Sequence, residues 1–318
     1  MKDSFGREIE YLRISITQNC NLKCLYCSPD ESNVNKCTTI LSPEDMEAVV
    51  RSMVKAGIRN VRLTGGEPLV HKDICEIIER IAKINGIEDI SMTTNGINLD
   101  KMAEKLKTAG LKRLNISLDS LKKERFEYIT GGGRLESTLN GIQKVLELGF
   151  RPVKINTVLI KGVNDDEIDD FIQMTKDSPL ETRFIELMPI GRFGEENSDK
   201  IVYNSDIIND RPYLIRCEDN LSGSPASYYR IEGYKGKVGF ISPMSHKFCN
   251  SCNRIRLTCD GKIKPCLGNN GEVDITEVLR ETPEKLDEVI QKAIYEKPAG
   301  HNFESSFSSK RNMSMIGG

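Results

Sequence analysis

The chain has 318 residues, with 45 basic and 47 acidic side chains, a formal net charge of −2, and 38% hydrophobic and 29% charged residues. This is the composition of a soluble globular protein, long enough for one large core or two modest ones. The even charge balance argues against a nucleic-acid partner. The absence of an apolar run near the ~20 residues of a membrane span argues against a membrane one. The opening MKDSFGREIE holds no apolar signal segment, so the expected location is cytoplasmic. In that compartment ten cysteines point to metal binding rather than disulfides.

In chain order, β-branched and apolar runs predict strands at 11–17, 60–64, 89–94, 113–118, 153–160 and 183–188. Helical patterns separate them. Ser42 reads as an N-cap followed by Pro43 at the first helical position. Met46, Val49, Val50, Met53 and Val54 then repeat at helical spacing up to Gly57. Asp100 reads as the N-cap of a helix ending near Gly110. Six such strand–helix units imply a parallel α/β sheet. Curled, it is an incomplete (β/α)6 TIM-type barrel with its chemistry at the C-terminal strand ends, although a doubly wound open sheet has the same alternation. After Pro189 the rhythm breaks. Short strands are predicted at 228–231, 237–241, 254–258 and 262–265, with a helix near 283–295. The division expected is a barrel over 1–190 and a β-rich segment over 191–318 that closes the open side. By composition, the polar, Ser-rich stretch 301–318 reads as a disordered terminus.

Six cysteines form two groups. Cys20, Cys24 and Cys27 follow the first strand as CxxxCxxC. Three thiolates on one loop can hold three irons of a 4Fe–4S cubane and leave the fourth open. Zinc closed by Cys37 is the alternative. Thr64-Gly65-Gly66-Glu67-Pro68 follows the second strand and by itself would be a turn. Cys249, Cys252 and Cys266 form the second group, CxxC-x13-C, where Cys259 could complete a zinc knuckle. Arg254 and Arg256 alternate on a predicted strand and so share one face. They suit a phosphate clamp or, more blandly, a solvated face. The loop Thr130-Gly-Gly-Gly-Arg134 lacks the lysine and hydroxyl of a phosphate loop and reads as a turn. Cys75 and Cys217 read as packing residues, as do His71, His246 and His301.

The CxxxCxxC spelling with Tyr26 before its third cysteine, followed by Gly-Gly-Glu-Pro one strand later, resembles the radical S-adenosylmethionine superfamily. The segment Phe248-Cys249-Asn-Ser-Cys252-Asn-Arg254-Ile255-Arg256-Leu257 resembles the GTP 3′,8-cyclases of molybdenum cofactor biosynthesis, and the likeness runs along nearly the whole chain to Gly317-Gly318. The resemblance implies two 4Fe–4S clusters, one on Cys20, Cys24 and Cys27 and one on Cys249, Cys252 and Cys266, with Cys259 a buried strand residue. It implies S-adenosylmethionine contacts at Tyr26, Gly66, Glu67, Ser117 and Met188. GTP contacts are implied at Arg13, Arg62, Thr93, Lys154, Arg254, Ile255 and Arg256, and catalytic roles at Arg254, Arg256, Gly317 and Gly318.

The implied reaction begins with removal of the ribose 3′ hydrogen of GTP by a 5′-deoxyadenosyl radical. Attack on guanine carbon 8 follows, giving 3′,8-cyclo-7,8-dihydro-GTP. A flavodoxin or ferredoxin donor and a downstream cyclic pyranopterin monophosphate synthase are the implied partners, and a homodimer stays open. The rival readings are a twin-cluster radical enzyme acting on a peptide or protein and a zinc-stapled nucleic-acid module. Peptide-modifying enzymes usually carry more C-terminal cysteines and have no use for paired arginines at the second cluster.

Overall fold

The computed structural model describes residues 1–27, 40–218, 223–303, 309 and 311–317. Cys37 and Gly318 therefore lie outside the described residues.

Six strands follow one another as neighbours in a parallel sheet: β1 (Tyr11–Ser15), β2 (Asn60–Thr64), β3 (Asp89–Thr94), β4 (Arg113–Ser117), β5 (Val153–Leu159) and β6 (Leu180–Glu186). Their alternation sends two different sets of side chains to the two faces. Leu12, Ile14, Val61, Leu63, Ile90, Met92, Leu114 and Ile116 are buried in the core beneath the helices. Tyr11, Arg13, Arg62, Ser91, Thr93, Asn115, Asn156 and Arg183 take the intervening positions, so the inner face is polar. A largely buried face with so many polar groups needs partners or a ligand.

The crossover helices are α1 (Pro43–Lys55), α2 (Ile74–Ala82), α3 (Leu99–Ala109), α4 (Lys123–Thr130) and α5 (Leu135–Glu147). Ser42 caps α1 in a capping box with Asp45, as its sequence predicts. The predicted cap Asp100 instead lies inside the first turn of α3, whose N-cap position is Asn98. There its charge favours the helix N-terminus without closing it. Gly110 does end that helix, at φ 112°.

The second half of the chain adds strands at both edges of this sheet. β7 (Ile215–Arg216), β8 (Ala226–Arg230) and β9 (Lys237–Ile241) extend it from β6, with β9 parallel to β6. β10 (Arg254–Leu257), β11 (Lys262–Lys264) and β12 (Val273–Asp274) extend it from β1, with β10 parallel to β1. Among the described residues the sheet runs from β12 to β7 without joining end to end, so the barrel stays open. Among them, too, no helix is long and apolar enough to cross a membrane.

The tail departs from the composition-based reading. Met313–Ile316 forms a helical turn, with Met315 and Ile316 buried. Arg311 anchors its start through ion pairs to Asp260 (2.9 Å) and Glu272 (2.7 Å). A Ser-rich average conceals this short apolar plug and the charged residue that fastens it.

Candidate functional site

Cys20, Cys24 and Cys27 occupy the loop leaving β1. The loop is fastened by Lys23 N–H to Thr130 O (3.0 Å) and Leu25 N–H to Ile129 O (2.9 Å). Gly131 permits that approach: its φ is +64°, and a Cβ there would come within 2.7 Å of Lys23 O. The glycine run that sequence alone marks as a turn is thus the floor of the cysteine loop. From inside, the Tyr26 hydroxyl donates to Asp119 (2.7 Å), whose other oxygen accepts from Val158 N–H (2.8 Å). Burial raises the Asp119 carboxyl to about 6. Burial, then Cys20 and Asp119, pushes the Cys27 thiol up to about 12. Cys24 moves the same way through burial, Cys27 and Asp119.

Gly66 brings the loop after β2 onto the cysteine loop. Its N–H bonds Thr17 O (2.7 Å), and a Cβ would collide with Asn19 O. Glu67 is buried and accepts from Leu69 N–H (3.0 Å), the Thr94 hydroxyl (2.6 Å) and Asn95 N–H (2.7 Å). Its carboxylate therefore braces the loops after β2 and β3, instead of standing bare toward a ligand.

Cys249 and Cys252 lie on the short turn Cys249–Ser251 before β10, and Cys266 follows β11. Burial pushes Cys252 up, but Arg254, Lys297 and Arg7 outweigh it and bring the thiol down to about 7. Among the described residues no three His, Cys, Asp or Glu side chains gather around one metal-ion position. What the thiols of each group share is electrostatic reach of one another.

All three C-terminal cysteines line an open cavity, with about 1000 Å³ of empty space in and before it, open solvent included. Arg256, Arg13 and Arg62 stand side by side on β10, β1 and β2 in parallel register, and all three line it. Burial and the neighbours Arg256 and Arg62 pull Arg13 well below the usual arginine range. Residues that line this space also carry buried polar atoms without a hydrogen-bond partner: Arg13 Nε, Arg254 Nε and Nη2, and Thr93 Oγ1. The Arg254 guanidinium lies 5.0 Å over the Phe248 ring. Arg62 lies over Tyr11 (5.3 Å) and donates to Ser91 (3.3 Å).

The cavity thus gathers Arg13, Arg62, Thr93, Met188, Arg254, Arg256 and the second cysteine group. Tyr26, Gly66, Glu67, Ser117 and Lys154 fall outside its lining. The Ile255 side chain is fully buried in the apolar core on the face of β10 opposite the arginines and does not line the cavity, which leaves its backbone as the group nearest a ligand contact. Arg256 differs from a free clamp as well, because its Nη1 donates to the carbonyls of Ile316 (3.1 Å) and Gly317. Gly317 sits at φ +71°, tight against Thr64. Lys154 pairs with Glu181 (2.6 Å) and Tyr228 Oη (2.7 Å), and burial beside Arg183 lowers it to about 8. Cys259 is fully buried, as expected for a packing residue, but it lies in the turn between β10 and β11, because β10 ends at Leu257.

Sequence reasoning missed Arg183, which lines the cavity and donates to Asn115 (2.8 Å) and Asn156 (2.8 Å). The predicted strand began at 183, which made this residue an edge. β6 in fact begins at Leu180 and turns Arg183 inward. Asp119 and Lys297 were also missed; no spacing marks either.

Residues 14–175 match the family model of the radical SAM superfamily, and residues 180–303 match Molybdenum Cofactor Synthesis C. Among solved structures, Streptococcus suis SuiB bound to precursor peptide SuiA is similar, with TM-score 0.60 and 16% identity, over 96% of this chain and 69% of that one. SuiB bound to S-adenosylmethionine aligns with TM-score 0.57 and 17% identity, over 92% and 65%. At such identities the likeness shows the fold alone, and that fold is the radical SAM one.

Relatives named GTP 3′,8-cyclase are far nearer in sequence. The protein from Alkaliphilus oremlandii is 50% identical, that from Clostridium botulinum strain Langeland is 48% identical, and each match spans 100% of both chains. The Listeria monocytogenes protein is 47% identical over 100% of this chain and 99% of its own. The chain belongs to the GTP 3′,8-cyclase family.

Proposed function

We propose that this chain converts GTP to 3′,8-cyclo-7,8-dihydro-GTP, with residues 1–190 generating the radical and residues 191–318 completing the GTP site. The carrying observation is a buried row of cations, Arg256, Arg13 and Arg62, joined by the unpartnered donors of Arg254, around a cavity that three thiols also line. So many buried guanidinium groups with spare N–H bonds cost free energy unless an anion with several oxygens occupies the space. A triphosphate supplies those oxygens.

The donor sets fit the two 4Fe–4S clusters of the family. Each offers three thiols in electrostatic reach of one another, and three thiolates on a four-iron cubane would leave one iron open. S-adenosylmethionine bound at the first cluster supplies, on reduction, a 5′-deoxyadenosyl radical. The rest is positioning by this chain. Tyr26 and Asp119 fix the first cysteine loop, and Gly66 and Glu67 shape the neighbouring loop against it. Thr93 and Met188 border the ribose end. Arg254, Arg13 and Arg62 hold the phosphates, and Arg256 holds the Ile316–Gly317 end of the tail through its carbonyls. A low-potential flavodoxin or ferredoxin would supply electrons, and a cyclic pyranopterin monophosphate synthase would consume the product.

The test is an anaerobic assay of the iron–sulfur-loaded protein with GTP, S-adenosylmethionine and dithionite. Equimolar 5′-deoxyadenosine and cyclised nucleotide are expected. Deoxyadenosine formed without any change in GTP would sink this reading and favour a peptide substrate.

A further inference from the structure

The first eleven residues carry no motif, yet they run along the second cysteine loop. Tyr11 N–H and Glu10 N–H both bond Asn253 O (3.1 Å each), and Ser4 N–H bonds Tyr295 O (3.0 Å). Between them lies Arg7, 8% exposed, paired at 2.6 Å with Asp3, which is 4% exposed. Asp3 is itself fixed by the N–H groups of Phe5 (3.0 Å) and Arg7 (2.9 Å).

All five N–H donors of the Arg7 guanidinium are used. Nε goes to Asp3, Nη1 to Cys249 O (2.9 Å) and Ala299 O (2.8 Å), and Nη2 to Pro298 O (2.7 Å) and Lys297 O (3.4 Å). One side chain thus ties the carbonyl of a thiol-bearing residue to the turn 297–299. From that turn the ammonium of Lys297, itself 2% exposed, reaches Pro265 O (2.6 Å), next to Cys266. Gly300 completes the contact, since a Cβ there would sit 3.5 Å from Cys249 Sγ. The two arms of the second cysteine group leave the two chain ends of the β10–β11 hairpin, whose antiparallel ladder pairs Arg256 with Lys264. Beyond the last paired residues, the Arg7–turn–Lys297 bridge ties Cys249 O to Pro265 O.

We propose that Arg7, oriented by Asp3, is a positioning residue. Through the 297–299 turn and Lys297 it sets the spacing of Cys249 and Cys252 relative to Cys266, and so the retention of the second cluster. This rests on the reading of those three cysteines as cluster ligands. The planar five-donor fork is what the site uses, so charge alone does not replace it.

The test uses the full chain, anaerobically loaded with iron and sulfide, comparing wild type, Arg7→Lys, Arg7→Ala, Lys297→Gln and Cys266→Ala. It measures iron per chain, iron release to a ferrous chelator, and the electron paramagnetic resonance spectrum after dithionite. Wild type should hold about eight irons. Arg7→Lys should release its second-cluster iron at least tenfold faster than wild type and shift that cluster's signal, while the first cluster's signal and release rate stay at wild-type values. Lys297→Gln should move in the same direction. Should Arg7→Ala fail to fold, Arg7→Lys and Lys297→Gln still decide the matter. Wild-type release rates and spectra in both would overturn the proposal. Equal loss from both clusters would overturn it too, by reducing Arg7 to a general stabiliser. If Cys266→Ala keeps all its iron, the cluster reading itself fails and the bridge with it.

Discussion

Around Cys20, Cys24 and Cys27 the charged company is other thiols together with the carboxylates of Asp119 and Glu67, and desolvation in that setting carries Cys27 up to about 12. Around Cys252, also desolvated, the company is Arg254, Lys297 and Arg7, and the thiol falls to about 7, while burial still raises Cys266 against the pull of Lys297. The same ligand type thus meets different charged surroundings in the two cysteine groups. The difference matches what each site is asked to hold. A sulfonium with an ammonium group is favoured beside carboxylates, and a triphosphate beside guanidinium groups. Two clusters of one composition can be given separate substrates by their surroundings alone.

Removing ligands is the strongest way to break this comparison. Alanine at Cys20, Cys24 and Cys27 together should leave about four irons and take S-adenosylmethionine cleavage below detection. Cys266→Ala should also leave about four irons but keep cleavage while losing cyclised product. Iron analysis and deoxyadenosine quantification separate the two. If the two variants lose cleavage equally, the division of labour is wrong.

Next in size are the arginines of β10. Arg254 lines the cavity and has buried, unpartnered donors, whereas Arg256 is engaged by the tail carbonyls. A lost charge-assisted contact costs roughly 1.5–3 kcal/mol, about one to two powers of ten in affinity. Arg254→Ala should therefore weaken GTP binding by that factor at unchanged iron content. Arg256→Ala should lower product formation more than affinity, because it frees the Gly317 end of the tail. Calorimetric GTP titration beside turnover would distinguish these effects. A larger affinity loss in Arg256→Ala than in Arg254→Ala would restore Arg256 as the main phosphate contact.

The sequence carried the barrel well, because six alternating strands need only local pattern to be seen, and their starts at Tyr11, Asn60, Asp89, Arg113 and Val153 fall where the periodicity places them. Both cysteine groups were legible from spacing. The sequence did not reveal which way single residues face when a strand boundary is misjudged. A start three residues late hid Arg183, and alternation sends the Ile255 side chain to the core, away from the arginines beside it. Long-range polar contacts were also invisible. Arg7 meets Cys249 across 242 residues, and Tyr26 meets Asp119 across 93. No local propensity encodes such pairs.

The smallest expected effect concerns Lys154, which tests how far the cationic end of the site extends. The groups facing it are Arg183 and Arg113, which disfavour its charge, and Glu181, which favours it. The Tyr228 hydroxyl lies within hydrogen-bond distance. Burial and Arg183 outweigh Glu181, and the ammonium titrates at about 8 in the unliganded protein. Because the charged form is the low-pH form, Lys154 is cationic below that value and becomes neutral as pH rises through it. A bound triphosphate favours the charged form and raises the bound-state value, so GTP binding takes up a proton above pH 8. Affinity should then be flat from pH 7 to nearly 8 and fall by up to about tenfold per pH unit beyond it, until the bound-state value is reached. Lys154→Gln should start with weaker affinity and lose this slope. Titrations of GTP across pH 7–9.5 in wild type and Lys154→Gln check the point. A wild-type affinity that stays level to pH 9.5 would place Lys154 with Glu181 and Tyr228 as wall structure, and would end the phosphate clamp at Arg13 and Arg62.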